Sequence, residues 1–279
     1  MIQLARGLAD TELAAIAELE ARTVAADGGR LKLEWPSLRS RPDDEVRDIL
    51  YWDDNRLLGF LGLYALGSPT IELAGMVDPA ARRRGVATSL LNAALELCKQ
   101  RNSGQVLLVT PRVCEAGKLF ALAKGAAPEH CEHALALTGP PTDGPTNPAV
   151  TVRSATRADS GDVDRLLTSA FGWPHSDALH LGIPGEETLM ISHNGAPVAT
   201  MRLDRHGDTA GIYGFAVDPA WQGRGIGRDV LRRACRQLRD EGFSRVGLEV
   251  AVDNDHALGL YTSLGFSQVS TEDYYALTL

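Results

Sequence analysis

Apolar residues in this chain switch between helical and strand-like spacing in a fixed order, and that order occurs twice. Near the start, apolar positions recur three to four residues apart over residues 10–25, which predicts an amphipathic helix. Two apolar runs, Asp48-Ile-Leu-Tyr-Trp52 and Arg56-Leu-Leu-Gly-Phe-Leu-Gly-Leu-Tyr64, flank Asp53-Asp-Asn55 and predict a hairpin. Next come a strand over 70–77 and a turn. A helix follows with Leu90, Leu91, Ala94, Leu95 and Cys98 on one face, ending at Asn102-Ser-Gly104. The apolar strand Val106-Leu-Leu-Val109, a shorter helix over 116–125 and a last strand over 132–137 close the set.

The second set runs in the same order. It has a helix over 159–171 with Asp159 or Ser160 as N-cap. A hairpin follows across His193-Asn-Gly195, where Asn-Gly suits the positive φ angles of a tight turn. After it lie the strand Ala210-Gly-Ile-Tyr-Gly-Phe-Ala-Val217 and a helix with Val230, Leu231, Ala234 and Leu238 on one face. The strand Val246-Gly-Leu-Glu-Val250, a shorter helix and a final strand over 274–279 complete it. Val77-Asp-Pro-Ala-Ala-Arg-Arg-Arg-Gly-Val-Ala87 returns as Val217-Asp-Pro-Ala-Trp-Gln-Gly-Arg-Gly-Ile-Gly227, 140 residues on (217 minus 77) and without a gap. Between the sets, residues 139–149 carry prolines and glycines with no apolar period, which reads as a linker. The expectation is two homologous α/β (α+β) domains, at 1–138 and 150–279.

Composition narrows the setting. The chain has 279 residues, 44% of them apolar and 23% charged, as in ordinary globular domains. It shows neither a run of about 18 apolar residues nor a basic segment leading into an apolar one, so neither a membrane span nor a secretion signal is expected and the protein reads as cytoplasmic. The net charge of −8 argues against nucleic acid and anionic membranes as partners and favours an amine-bearing one. Cys98, Cys114, Cys131 and Cys235 lack a disulfide framework and read as reduced thiols. His130 and His133 fall on opposite sides of a strand, so no metal site is expected.

The chemistry concentrates in the repeated motif. Gly223, Gly225 and Gly227 alternate just before a helix, so backbone N–H groups and the helix dipole face one point. Arg224 and Arg228 add charge-assisted donors, which makes a phosphate or pyrophosphate the expected guest.

Gln222-Gly-Arg-Gly-Ile-Gly227, Leu248-Glu-Val250 and Asn254-Asp-His-Ala-Leu-Gly-Leu-Tyr-Thr-Ser-Leu-Gly-Phe266 together resemble the GCN5-related N-acetyltransferase (GNAT) superfamily. The first half resembles it through Arg82-Arg-Arg-Gly-Val-Ala87 and departs further on. Among tandem members, the second half is similar to mycothiol synthases, and also to ribosomal-protein N-terminal acetyltransferases. The resemblance implies two tandem domains, each a mixed, mostly antiparallel twisted sheet flanked by helices, and acetyl-CoA as cofactor.

Residue by residue, it implies that Phe215, Ala216 and Val217 offer backbone amides to the thioester end of the cofactor, on a strand that parts from its neighbour at a bulge. Gln222, Gly223, Arg224, Gly225, Ile226, Gly227 and Arg228 hold the pyrophosphate, and Asn254 lies near the pantetheine or caps the next helix. Glu249 is the expected general base toward the amine and Tyr261 the general acid toward the departing thiolate, twelve residues apart. Met76, Val77, Arg82, Arg83, Arg84, Gly85, Val86 and Ala87 are a further set of expected cofactor contacts, in the first half. The first half has Phe120 and Ala121 around the tyrosine position, and nothing in its 111–115 stretch answers to Asn254, so turnover is expected in the second half alone. Trp173, His175 and Tyr213 are the expected substrate contacts. The acceptor is read as a primary amine on a small molecule such as an amino sugar, amino acid or antibiotic-like metabolite, and the protein as a monomer or homodimer. A protein N-terminus or lysine, a mycothiol-type substrate and a coenzyme A sensor without turnover stay open as alternatives.

Overall fold

The chain was analysed as a computed structural model, which describes residues 1–65, 70–101, 103–172 and 183–278. Its elements run β1 (Ile2–Ala5), α1 (Asp10–Asp27), α2 (Trp35–Ser40), β2 (Asp48–Asp53), β3 (Arg56–Ala65), β4 (Thr70–Val77), α3 (Val86–Gln100), β5 (Gln105–Pro111), α4 (Glu115–Ala123) and β6 (Ala127–Leu137). The second set is β7 (Val150–Ser154), α5 (Ser160–Phe171), β8 (Glu186–His193), β9 (Ala196–His206), β10 (Thr209–Val217), α6 (Ile226–Asp240), β11 (Arg245–Ala251), α7 (Asp255–Ser263) and β12 (Ser267–Leu277). Every expected element is present. The added helix α2 is six residues long with Pro36 in its first turn, too short to leave a period in the sequence.

Two compact units form, and they do not follow the two contiguous halves. One comprises Met1–Glu132 with Ser270–Leu279, and the other His133–Val269. The strands that end the two halves, β6 and β12, change places. In the first unit β12 lies antiparallel on β5, from Glu272 opposite Pro111 to Leu277 opposite Val106, giving the order β1-β2-β3-β4-β5-β12. In the second, the end of β6 lies beside β11, in the order β6-β11-β10-β9-β8-β7. Packing agrees with this division. Tyr275 and Leu277 sit in an apolar cluster with the α3 residues Leu90, Leu91 and Ala94, while Leu135 and Leu137 sit with Val230, Leu231 and Leu238 of α6.

Each sheet carries helices on both faces. In the first unit α3 covers one face through Ile71, Leu73 and Val106, and α1 covers the other through Leu50, Phe60 and Leu107. In the second, α6 and α7 cover Leu189, Met201, Ile212 and Leu248, and α5 covers Met190 and Ala216.

The 139–149 stretch runs along α6 under several hydrogen bonds. Arg232 Nη1 donates to the Pro145 carbonyl at 2.7 Å, and the Asn147 amide donates to Asp229 Oδ2 at 3.1 Å. A side chain at Gly144 would meet the Arg232 guanidinium at 2.8 Å, so Arg232 would have to shift to admit one. The cap expected from Asp159 takes another form, because its carboxylate accepts from the Thr156 amide at 2.7 Å and pairs with Arg153 at 2.6 Å.

Candidate functional site

The two glycine-loop strands differ by one residue. In the first unit β4 pairs with β3 without interruption from Ile71 to Val77. Its side chains alternate strictly, Ile71, Leu73 and Val77 toward α3, Ala74 and Met76 toward α1. In the second unit β10 pairs with β9 as far as Tyr213 opposite Arg202, and pairing resumes at Ala216 opposite Thr200 with a register shift. Before the shift the even residues Ala210 and Ile212 face α6. After it Ala216 faces α5, while Phe215 and Val217 turn to the α6 side. A single inserted residue reverses every side chain beyond it and leaves a stretch of backbone out of the ladder.

The inter-strand registers locate the insertion. Thr70 lies opposite Gln105 and Thr209 opposite Arg245, so the offset between copies is 139 on the loop strand (209 minus 70) but 140 on its neighbour (245 minus 105). Downstream, at Val217 and Val77, it is 140 again. The second copy therefore gains one residue within β10, where Gly214 holds φ +54.

The bulge coincides with a parting of strands. β10 and β11 run parallel and paired only through Gly211 opposite Gly247, whereas β4 and β5 stay paired through Ala74 opposite Val109. Beyond Gly211, residues Tyr213–Val217 and Leu248–Ala251 border an open wedge, and Gly214 at its edge is solvent-exposed. The amides of Phe215, Ala216 and Val217 lie along that edge.

At the end of the wedge is the glycine loop. Gly223 and Gly225 have φ +72 and +77, and Gly225 stands at the N-cap of α6 with no side chain closing the cap. That leaves first-turn amides facing out with the positive end of the helix dipole, the arrangement that suits a phosphate. Gln222 also braces the loop. Its Nε2 donates to the Val217 carbonyl at 3.0 Å, tying the loop to the strand end. Arg224 lays its guanidinium over the Trp221 ring at 4.8 Å, which holds that charge beside the loop, and Arg228 is exposed on the first turn of the helix. Ile226 is buried, and Gly227 lies against Val217, Phe215 and Leu260.

Glu249 and Tyr261 lie on opposite faces of β11. Val246, Leu248 and Val250 pack under α6 and α7, so by strand alternation Glu249 points to the α5 face. Tyr261 belongs to the opposite core, only 8% exposed, with its ring edge-on to Phe266 at 6.0 Å. Burial pushes its phenol up to about 12, so it stays protonated at neutral pH. Asn254 caps α7, with its Oδ1 accepting from the Ala257 amide at 3.0 Å. Tyr213 shares the α5 face with Glu249. Its ring lies over Gly211, where a Cβ would meet Cε2 at 2.4 Å, and Arg202 stacks on it at 5.1 Å. Arg202 was not expected at the site, because an arginine in a strand leaves no period in the sequence. Trp173 and His175 lie outside the described residues.

Taken together, a wedge where β10 and β11 part, leading to an uncapped helix behind a glycine loop, fits a long cofactor with an acyl group at one end and phosphates further along. The profile of the "Acetyltransferase (GNAT) family" matches residues 14–120 and again 161–266. The chain belongs to the GNAT acetyltransferase family. It is an enzyme of that family, with acetyl-CoA as its cofactor, built of two GNAT units in tandem. A mycothiol acetyltransferase from Mycobacterium ulcerans is 30% identical over 256 residues, covering 79% of this chain and 78% of that protein. The N-alpha-acetyltransferase RimI of Mycobacterium tuberculosis is 36% identical over 138 residues, covering 45% of this chain and 84% of its own. Among solved structures, a GCN5-related N-acetyltransferase from Sphaerobacter thermophilus superposes with a TM-score of 0.81 at 20% identity, over 99% of this chain and 95% of its own.

The first unit repeats the GNAT loop with altered parts. Gly85 caps α3 at φ +86, but Arg83, at the Gly223 position, holds a left-handed φ of +62 that glycine adopts without strain. Arg82, at the Gln222 position, donates from Nε to the Val77 carbonyl at 3.3 Å and pairs through both other nitrogens with Asp27, at 2.8 and 2.5 Å. Arg84 is exposed, Val86 is buried and Ala87 half-buried, and Met76 is buried toward α1. Asn254 does have a positional counterpart, contrary to expectation. Cys114 caps α4, with its Sγ accepting from the Gly117 amide at 3.4 Å. Capping is achieved by two different side chains, which hid the correspondence. Among the described residues no group of His, Cys, Asp and Glu could hold a metal ion, and no helix is long and apolar enough to cross a membrane.

Proposed function

We propose that this enzyme transfers the acetyl group of acetyl-CoA to a primary amine on a small molecule, that the reaction runs in the second unit, and that Glu249 is the general base and Tyr261 the general acid. The bulge at Gly214 and Phe215, which the first unit lacks, is the observation that carries the assignment to the second unit. When bound, acetyl-CoA supplies an activated acetyl thioester. Amides of the Phe215–Val217 segment that face away from β9, on the side where β10 has parted from β11, donate toward the acyl oxygen. First-turn amides of α6, with Arg224 and Arg228, hold the phosphates.

Glu249 receives the proton of the acceptor amine on the α5 face, where Tyr213 and Arg202 border the approach. Tyr261 supplies a proton from the α7 side. Its high pKa suits a donor that must not ionise before the thiolate departs. The two groups lie on opposite faces of β11, so the proton taken and the proton given follow separate routes.

A small-molecule acceptor is supported by the net charge of −8 and by the mycothiol acetyltransferase relative, which aligns over most of both units. The RimI relative, aligned over less than half the chain, favours a second reading in which the amine is a protein N-terminus. A thiol-release assay over amino sugars, amino acids and short peptides separates the two. Glu249→Gln and Tyr261→Phe are each expected to lower kcat by about 100-fold. Rates close to wild type in both variants remove the assignment of base and acid.

A further inference from the structure

The first unit ends its wedge differently. Asp27 is the last residue of α1, and behind it Gly28 and Gly29 turn the chain with φ +73 and +77. The turn lies directly on the end of β5. A side chain at Gly29 would meet Val113 Cγ2 at 2.7 Å and Pro111 Cβ at 3.3 Å. From there Asp27 reaches both flanks of the wedge. On the β4 side it holds Arg82 of the glycine loop through two parallel bonds at 2.8 and 2.5 Å. On the β5 side Cys114 Sγ, at the start of α4, donates to Asp27 Oδ2 at 3.5 Å. One carboxylate therefore joins the segment after β4 to the segment after β5, across the gap through which a cofactor arm would pass in the second unit.

Three further differences act in the same direction. β4 lacks the inserted residue, so its pairing with β3 runs on without the gap that Gly214 and Phe215 make in β10. β4 and β5 remain paired for five positions where β10 and β11 pair for three. Ala121 stands where Tyr261 stands in the second copy, with no acid to offer.

We propose that Asp27 is an internal occupant of the first cofactor cleft, latching Arg82 and Cys114 across its mouth, and that the chain consequently binds one coenzyme A, in the second unit. The inference rests on the reading that the second loop holds the cofactor. A bidentate Arg–carboxylate pair is among the stronger side-chain contacts, and it offsets the Arg82 charge and engages both terminal nitrogens that a phosphate would use. The ion pair also sustains itself, since Arg82 holds the Asp27 carboxyl below the usual range and Asp27 holds Arg82 above it. Replacing Arg82 by the glutamine of the twin loop would keep the bond to the Val77 carbonyl and lose the latch.

Titration calorimetry of the full-length protein with coenzyme A tests this. Wild type is expected to bind with a stoichiometry of one. The double variant Asp27→Ala/Arg82→Gln is expected to gain a second site at least about tenfold weaker than the first, since the bulge is still missing; a thermal melt of the variant establishes that it is folded. A wild-type stoichiometry of two overturns the proposal. So does a folded double variant that stays at one, because the latch is then not what closes the cleft. Absence of binding in wild type overturns this proposal and the proposed function together, and is thereby distinct from either result.

Discussion

At the scale of single residues, the twin copies show how one conformation is reached by different side chains. Cys114 and Asn254 both cap a helix, and Arg82 and Gln222 both donate to the carbonyl that ends the loop strand. Such equivalences are invisible when residues are matched by type. The exchange of Tyr261 for Ala121 was easier to read, because it needs only the repeat offset. One buried residue makes a prediction about pH. Asp48 in β2 is fully buried beside Arg41 at 2.9 Å, and burial raises its carboxyl to about 6 despite that partner. The folded state thus holds its proton more tightly than the unfolded chain, whose Asp titrates near 4. The stabilisation from this group is complete below about pH 4 and is lost as pH rises through about 6. Urea midpoints measured from pH 4 to 7 should fall for wild type relative to Asp48→Asn, which cannot ionise. Parallel curves would mean that Asp48 titrates at its ordinary value.

At the scale of elements, β10 decides what the second unit can do. Gly214 was legible as a glycine inside a strand, a usual mark of a bulge or a close approach. The insertion was not, because the two loops align without a gap from Val77 and Val217 onward and the extra residue lies upstream. Gly214→Val would place a β-branched residue at φ +54, with its Cβ 3.3 Å from Leu167. That backbone costs an L-residue about 1–2 kcal/mol, and straightening the strand would return its amides to the ladder. A rise of at least about tenfold in the Kd for coenzyme A is expected, read by calorimetry. An unchanged Kd would show that the bulge does not shape the cofactor site.

At the scale of the whole molecule, the exchanged strands give each unit a piece of the other half of the chain. The first unit holds its borrowed strand by charge as well as by the ladder. Lys32 Nζ donates to the Tyr274 hydroxyl at 2.6 Å and lies 3.4 Å from Glu72, and the same hydroxyl donates to Glu132 at 2.6 Å. His130 stacks on the Tyr274 ring, and Arg112 pairs with Asp273 at 2.7 Å. Tyr274→Phe removes the hydroxyl at the centre of this group while preserving the ring. A loss of about 1–3 kcal/mol is expected for the buried polar groups it leaves. Hydrogen exchange should locate the loss in β4 and β5, at the other end of the sequence, with β8 and β9 unaffected. Equal loss in both sets would contradict the division into units.

The sequence by itself determined the elements, their duplication, the family and the cofactor, since periodicity, turn residues and the glycine loop are local properties of contiguous residues. It also showed Glu249 and Tyr261 in the second copy where the first has Val109 and Ala121. Only the tertiary structure decided which strand completes which sheet, because β6 and β12 occupy the same position in their repeats and no local signal ranks β5 against β11 as a partner. The same holds for the two clefts. A bulge is defined against the neighbouring strand, and the Asp27–Arg82 pair joins residues 55 positions apart, so the open wedge and the latched one differ in pairings that no single stretch of chain contains.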